Sequence, residues 1–123
     1  MAKVLIFDTE SNGLDTKHGF IQELAYTVFD TNSGRCTHAH SDLIRWNMAY
    51  RVEPGAFAVT NLSREYCEEH GKPAGEVFER FCDFILEKRV EFLCGHNVLQ
   101  FDHILLKSNM KRTFFDNPEI LDS

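Results

Sequence analysis

No apolar stretch of this chain approaches the length of a membrane span, and the N-terminal run Val4-Leu5-Ile6-Phe7 is too short for the core of a signal peptide. An intracellular protein is expected, with no membrane partner. The four cysteines, Cys36, Cys67, Cys82 and Cys94, are widely spaced and form no C-x-x-C pair, so a disulfide framework is not indicated and buried thiols are expected. Cations are scarce: 13 lysines and arginines stand against 19 aspartates and glutamates, a net charge of −6. That balance weighs against a broad nucleic-acid-binding surface, which needs cations to meet phosphates. It leaves nuclease chemistry open, because such sites gather carboxylates around metal ions that reverse the local sign. Repeats, linkers and low-complexity segments are also missing. What remains is 123 residues, 43% of them hydrophobic and 11 of them phenylalanine, enough for one compact domain over residues 1–123.

Periodicity organises the chain. Lys3 to Thr9 is a mostly apolar, branched run that reads as a buried strand, closed by the turn signal Ser11-Asn12-Gly13. A second run, Leu24 to Phe29, ends in Asp30-Thr31-Asn32-Ser33-Gly34, and a third strand is expected from Arg35 toward Asp42. The last two should form an antiparallel hairpin beside the first. Pro54-Gly55 reads as a break. Leu62 to His70 is expected to be helical, capped by Asn61 or Thr60 and stopped by Gly71. The clearest helix is Gly75 to Lys88, where Val77, Phe78, Phe81, Cys82 and Ile85 form one apolar stripe. Phe92-Leu93-Cys94 is a further short strand. A last helix is expected from Leu99 or Gln100 to Met110, with Phe101, Ile104 and Leu105 facing inward. Pro118 then breaks the chain before a strand at Ile120-Leu121. The class is α/β.

Carboxylates carry the chemical signal. Asp8 and Glu10 stand two apart on a strand and so share one face. Like charges that close raise each other's pKa unless a cation joins them, and Mg²⁺ or Mn²⁺ is the usual oxygen-bound solution. The competing account has Asp8 capping a turn and Glu10 solvated. Asp102 falls in the first turn of the last helix, where the helix dipole alone favours an acid. It also falls near the carboxyl end of a strand, where α/β sheets place their binding sites.

Those residues resemble a family. Phe7-Asp8-Thr9-Glu10-Ser11-Asn12-Gly13-Leu14 resembles the first motif of the DEDD (DnaQ-like) 3′–5′ exonuclease superfamily, and Gly95-His96-Asn97-Val98-Leu99-Gln100-Phe101-Asp102 resembles its second. Val52-Glu53-Pro54-Gly55 and the Phe78–Ile85 helix fall between them in the family's order. The resemblance implies a ribonuclease H-like mixed sheet flanked by helices. It implies two-metal-ion hydrolysis of terminal phosphodiesters of DNA or RNA, with release of nucleoside 5′-monophosphates. Asp8, Glu10 and Asp102 would be catalytic and metal-binding: Asp8 would bridge two Mg²⁺ or Mn²⁺ ions about 3.5–4 Å apart, with Glu10 on one and Asp102 on the other. The partner implied is a single-stranded 3′ end. Thr9, Ser11 and Leu14 would hold its terminal nucleotide, Leu14 and Phe101 would meet base faces, and Asn97 would orient the second-motif backbone. A plain core role competes for Phe101.

The family's third motif, an aspartate preceded by a histidine five residues earlier or a tyrosine four residues earlier on a C-terminal helix, finds no counterpart here. Tyr26 and Asp30 match the tyrosine spacing but lie in an expected strand, and Asp122 is not such an acid. The fold is therefore expected to be C-terminally incomplete, and the alternative function is a catalytically deficient module that binds nucleic acid or a protein partner. Cys36-x-His38-x-His40 offers three soft ligands on one strand face, a conceivable zinc site without a fourth ligand. His18 reads as a solvated loop residue, and Lys107, Lys111 and Arg112 as a solvated helix end. Apolar surface left by an absent final helix should drive self-association. Sedimentation is expected to show the chain as a dimer or larger species whose fraction rises with concentration; a folded monomer at every concentration would contradict this.

Overall fold

A computed structural model describes residues 2–95 and 101–114, without the side chain of Phe101. Asn97, the expected helix start at 99 or 100, the Phe101 side chain, Pro118, Ile120-Leu121 and Asp122 lie outside the described residues. Strands β1 (Lys3–Ser11), β2 (Ile21–Asp30) and β3 (Arg35–Arg45) come first. Helices α1 (Pro54–Thr60) and α2 (Arg64–His70), the short strand β4 (Lys72–Pro73), helix α3 (Ala74–Glu87), strand β5 (Phe92–Gly95) and helix α4 (Phe101–Phe114) follow. They form a five-stranded mixed sheet in the order β4-β3-β2-β1-β5. The β1–β2 and β2–β3 pairs are antiparallel, as the expected hairpin requires, while β5 runs parallel to β1.

Burial alternates along β1: Leu5, Phe7, Thr9 and Ser11 are buried, and Val4, Ile6, Asp8 and Glu10 are half-buried. Partners across the β1–β2 ladder repeat this, since Phe7 opposes Tyr26 and Asp8 opposes Ala25. One sheet face thus carries the core, where Leu5, Phe7, Leu24, Tyr26 and Val28 meet Val77, Phe78, Phe81 and Phe84 of α3 and Leu105 and Leu106 of α4. The α3 stripe is as expected, with Phe84 added and Cys82 and Ile85 only partly buried.

Several local expectations are corrected. Pro54-Gly55 is no break but the start of α1, because proline is tolerated at the first helical position, where its missing N–H has no partner to lose. Asn61 closes that helix in the left-handed conformation (φ 59°) and does not cap the next one. Ser63 caps α2 instead, its hydroxyl accepting from the Tyr66 N–H at 3.0 Å. On α4, Ile104 is exposed and Leu106 takes the inward place beside Leu105. Only Cys67 is a fully buried thiol; Cys36 and Cys94 are exposed. Cys36 and His40 do not share a face. A register shift between Tyr26 and Val28 pairs Cys36 with Phe29 and His40 with Tyr26, residues of opposite parity in β2. His38 at the irregularity takes a left-handed φ of 58°. Strand β5 carries Phe92 and Leu93 exposed at the sheet's border. Among the described residues no helix is long and apolar enough to cross a membrane.

Phe81 is fully buried and meets Phe7 and Tyr26 edge-on at 6.5 and 5.0 Å. Phe81→Ala is expected to cost about 3–5 kcal/mol in denaturant unfolding, through lost burial and a residual cavity. Leu86→Ala on the exposed side of the same helix should stay within about 0.5 kcal/mol. Equal effects would show that the stripe is not the core.

Candidate functional site

The carboxyl end of β1 holds the first motif. Asp8 and Glu10 occupy one face and Thr9 the other, by strand alternation. Glu10 stands directly across from Glu23, and Asp8 lines a shallow depression of about 420 Å³ with Ile6, Ala25 and Thr27. Burial, and then the charge of Asp8, push the Glu23 carboxyl above its ordinary value of 4.5. At the next residue of β1 the ladder slips: Ser11 opposes Ile21, and Gln22 is the extra residue of a bulge. The buried Gln22 side chain turns to the Leu62 carbonyl at 3.2 Å.

On the core face, the Thr9 hydroxyl donates to Asp102 Oδ1 at 2.5 Å. Ninety-three positions separate the two residues. Asp102, only 2% exposed, sits in the first turn of α4, where the helix N-terminus favours its negative charge. Gly95, ending β5, lets that turn close on the strand. A Cβ there would stand 3.1 Å from Asp102 Cβ and 3.3 Å from His103 Cδ2. The Gly95 N–H in turn donates to His103 Nε2 at 3.2 Å.

The loop after the first motif is tied from two sides. Asn12 exchanges bonds with Phe20 (3.1 and 2.8 Å), donates to the Arg51 carbonyl at 2.8 Å, and its own carbonyl accepts from Glu53 N–H at 2.9 Å. From α4, Ser108 donates to Thr16 O at 2.7 Å, and Asn109 Nδ2 and Arg112 each reach Gly19 O at 3.0 Å. Asn109 is fully buried, and its Oδ1 also accepts from the Ile21 N–H at 2.9 Å. Arg112, expected as part of a solvated end, lies 3.9 Å over the Phe20 ring. Ser11 donates to Gly13 O at 2.8 Å, within the loop, and Leu14 projects 84% exposed beside it. His18 is a loop residue as expected, paired with Asp15 at 3.2 Å.

Sequence reasoning missed Asn12, Glu23, Asn109 and Arg112. Asn109 had a readable signal: with Leu105 and Thr113 it repeats every four residues on α4, which marks a polar side chain on an inward face. The structure brings Asp102 onto the strand residue between Asp8 and Glu10, while those two acids occupy the other face. Among the described residues no group of three histidine, cysteine or acidic side chains is arranged to hold a metal ion. The donors themselves are all carboxylate oxygens, a set that suits hard Mg²⁺ or Mn²⁺. Glu23 is raised first by burial and then by the charge of Asp8, and a cation beside Asp8 would relieve only the second of these.

A mixed five-stranded sheet with helices and a carboxylate-bearing first strand defines a ribonuclease H-like fold. The Exonuclease family model (RNase_T) matches residues 5–123, and the chain belongs to this family, within the DEDD superfamily. Product-bound exonuclease I superposes with a TM-score of 0.80 at 17% identity, over 94% of this chain and 26% of that one. E. coli exonuclease I in complex with a dT13 oligonucleotide gives 0.78 at 18%, over 94% and 25%. The ExoI/SSB-Ct complex gives 0.79 at 17%, over 94% and 25%. At such identity the likeness is one of fold, and this chain spans about a quarter of the length of those solved chains. No curated protein matches the chain.

A glutamate whose folded pKa is raised contributes stability that is full below its unfolded value and lost as pH rises through the folded one. Glu23→Gln should therefore raise the melting temperature near neutral pH in the presence of chelator. The gain should vanish below pH 4.5, the group's ordinary value. An unchanged or lowered neutral-pH melt would remove the electrostatic account of this face.

Proposed function

We propose that the protein is a divalent-cation-dependent 3′–5′ exonuclease acting on single-stranded nucleic acid, with Asp8, Glu10 and Asp102 as the cation-holding carboxylates. The observation that carries this reading is the Thr9–Asp102 hydrogen bond, which joins the two motifs at the carboxyl end of β1. When bound there, divalent ions supply charge that neutralises the phosphodiester and acidifies the attacking water. The chain's own residues supply placement. Thr9 and Gly95 set Asp102 against the strand, and Ser11 and Asn12 shape the loop that follows the two other acids. Exposed Leu14 offers an apolar surface for the face of a terminal base. Nucleoside 5′-monophosphates would leave from the 3′ end. Single-stranded substrate draws support from the dT13 complex of the structurally similar exonuclease I.

A second reading, a catalytically deficient module that binds nucleic acid or a protein partner, draws on one observation: the three acids do not form one assembled group among the described residues. Labelled single strands separate the two. With Mn²⁺, a 3′ label should appear first as mononucleotide, slowly, while a 5′ label shortens stepwise. Calorimetric Mn²⁺ affinity should fall about 100-fold or more in Asp8→Ala, since even outer partners of metal ligands cost about 10–100-fold. Strand binding without any Mn²⁺-dependent release would establish the second reading, and a 5′ label released first would refute the stated direction.

A further inference from the structure

We propose that Asn12 is a modification site: the Asn12-Gly13 pair deamidates when the motif-one loop opens, and the product keeps that loop from closing again. The inference is independent of how Asp8, Glu10 and Asp102 are read.

Asn12 is the only asparagine of the chain that is followed by glycine. Glycine has no side chain to crowd its own amide, so the Gly13 nitrogen reaches the Asn12 side-chain carbonyl carbon with little hindrance. That nitrogen bonds to the carbon, and the carboxamide nitrogen leaves as ammonia, taking the Gly13 amide proton with it. Water then opens the five-membered imide at either carbonyl, leaving aspartate or isoaspartate at position 12.

The closed loop holds this reaction off. Asn12 Oδ1 accepts from the Phe20 N–H and Nδ2 donates to the Arg51 carbonyl, both at 2.8 Å. The Asn12 N–H donates to Phe20 O at 3.1 Å, and the Asn12 carbonyl accepts from the Glu53 N–H at 2.9 Å. Cyclisation presents the face of the carboxamide to the Gly13 nitrogen, so the bonds to Phe20 and Arg51 must first let go. The same bonds make the product a poor fit for the closed loop. An aspartate has no hydrogen to give the Arg51 carbonyl, and two acceptors then face each other where a bond stood. Isoaspartate also adds a methylene to the backbone, displacing the N–H and carbonyl that pair with Phe20 and Glu53. Every opening long enough for cyclisation thus leaves a permanent mark on the segment that follows Asp8 and Glu10.

The test is peptide mass spectrometry of the whole chain after incubation in mildly alkaline buffer, with and without urea. It reads a gain of one mass unit on the peptide carrying Asn12. In the folded chain Asn12 should be the first site modified, giving both products. Its rate should fall about 10-fold or more below that in urea, because two hydrogen bonds must first open. Asn12→Asp should lower the melting temperature by about 4 °C or more. If Asn12→Asp gives no folded chain, the melt of the incubated chain after separation by charge makes the same comparison. Earlier deamidation of another asparagine in the folded chain overturns the inference. So do equal rates with and without urea, and an Asn12 that stays intact when folded while the urea sample converts fully. An unchanged melt of the deamidated chain overturns it as well.

Discussion

Everything at this site depends on the period-two alternation of a single strand. In β1 it sends Leu5, Phe7, Thr9 and Ser11 into the core and leaves Val4, Ile6, Asp8 and Glu10 on the other face. Burying the phenyl ring of Phe7 against α3 fixes which face is which, because a slip of one residue would bring the carboxylates into the core. The same apolar packing that stabilises the domain therefore presents two acids together at a strand end. It also delivers Thr9, the residue between them, to the side from which α4 approaches.

Helix α4 makes the second half of the arrangement, and it does so with polar bonds inside the protein. Asn109 and Thr113 are fully buried beside Leu105, and Asn109 joins the helix to both Gly19 and Ile21. Buried polar groups are costly unless satisfied, so a network of this kind holds one geometry and penalises its neighbours. The outcome is that hydrogen bonds from the helix bearing Asp102 reach both the motif-one loop and the start of β2. Sub-ångström placement of reacting groups needs such support, because chemistry is sensitive to displacements near 1 Å.

Much of this was legible in the sequence, for reasons that also explain what was not. The hairpin and α3 were readable because Phe7, Val28, Val77, Phe78 and Phe81 repeat at strand or helix periods strong enough to decide the element. The two motifs were readable because acids at fixed spacing flank recognisable turns. Helix α1 was not, since Pro54-Gly55 signals both a break and a helix start, and only the surrounding chain decides between them. The supposed face shared by Cys36, His38 and His40 failed because alternation holds only while the register holds, and β3 slips opposite Thr27. Ile104 and Leu106 flank Leu105 on opposite sides of the helix, and which of them turns inward depends on where α4 lands against the sheet. The Thr9–Asp102 contact spans too much sequence for any local pattern to show it.

The central proposal is that the acids of both motifs hold divalent cations at the carboxyl end of β1. Paramagnetic broadening by Mn²⁺ tests it most directly, in backbone amide spectra of the ¹⁵N-labelled chain at substoichiometric metal. The account predicts that the amides of Asp8, Thr9 and Glu10 broaden together with those of Asp102 and His103, while α2 around Cys67 is spared. Broadening confined to β1, or to α4, or spread evenly over the acidic surface would contradict it.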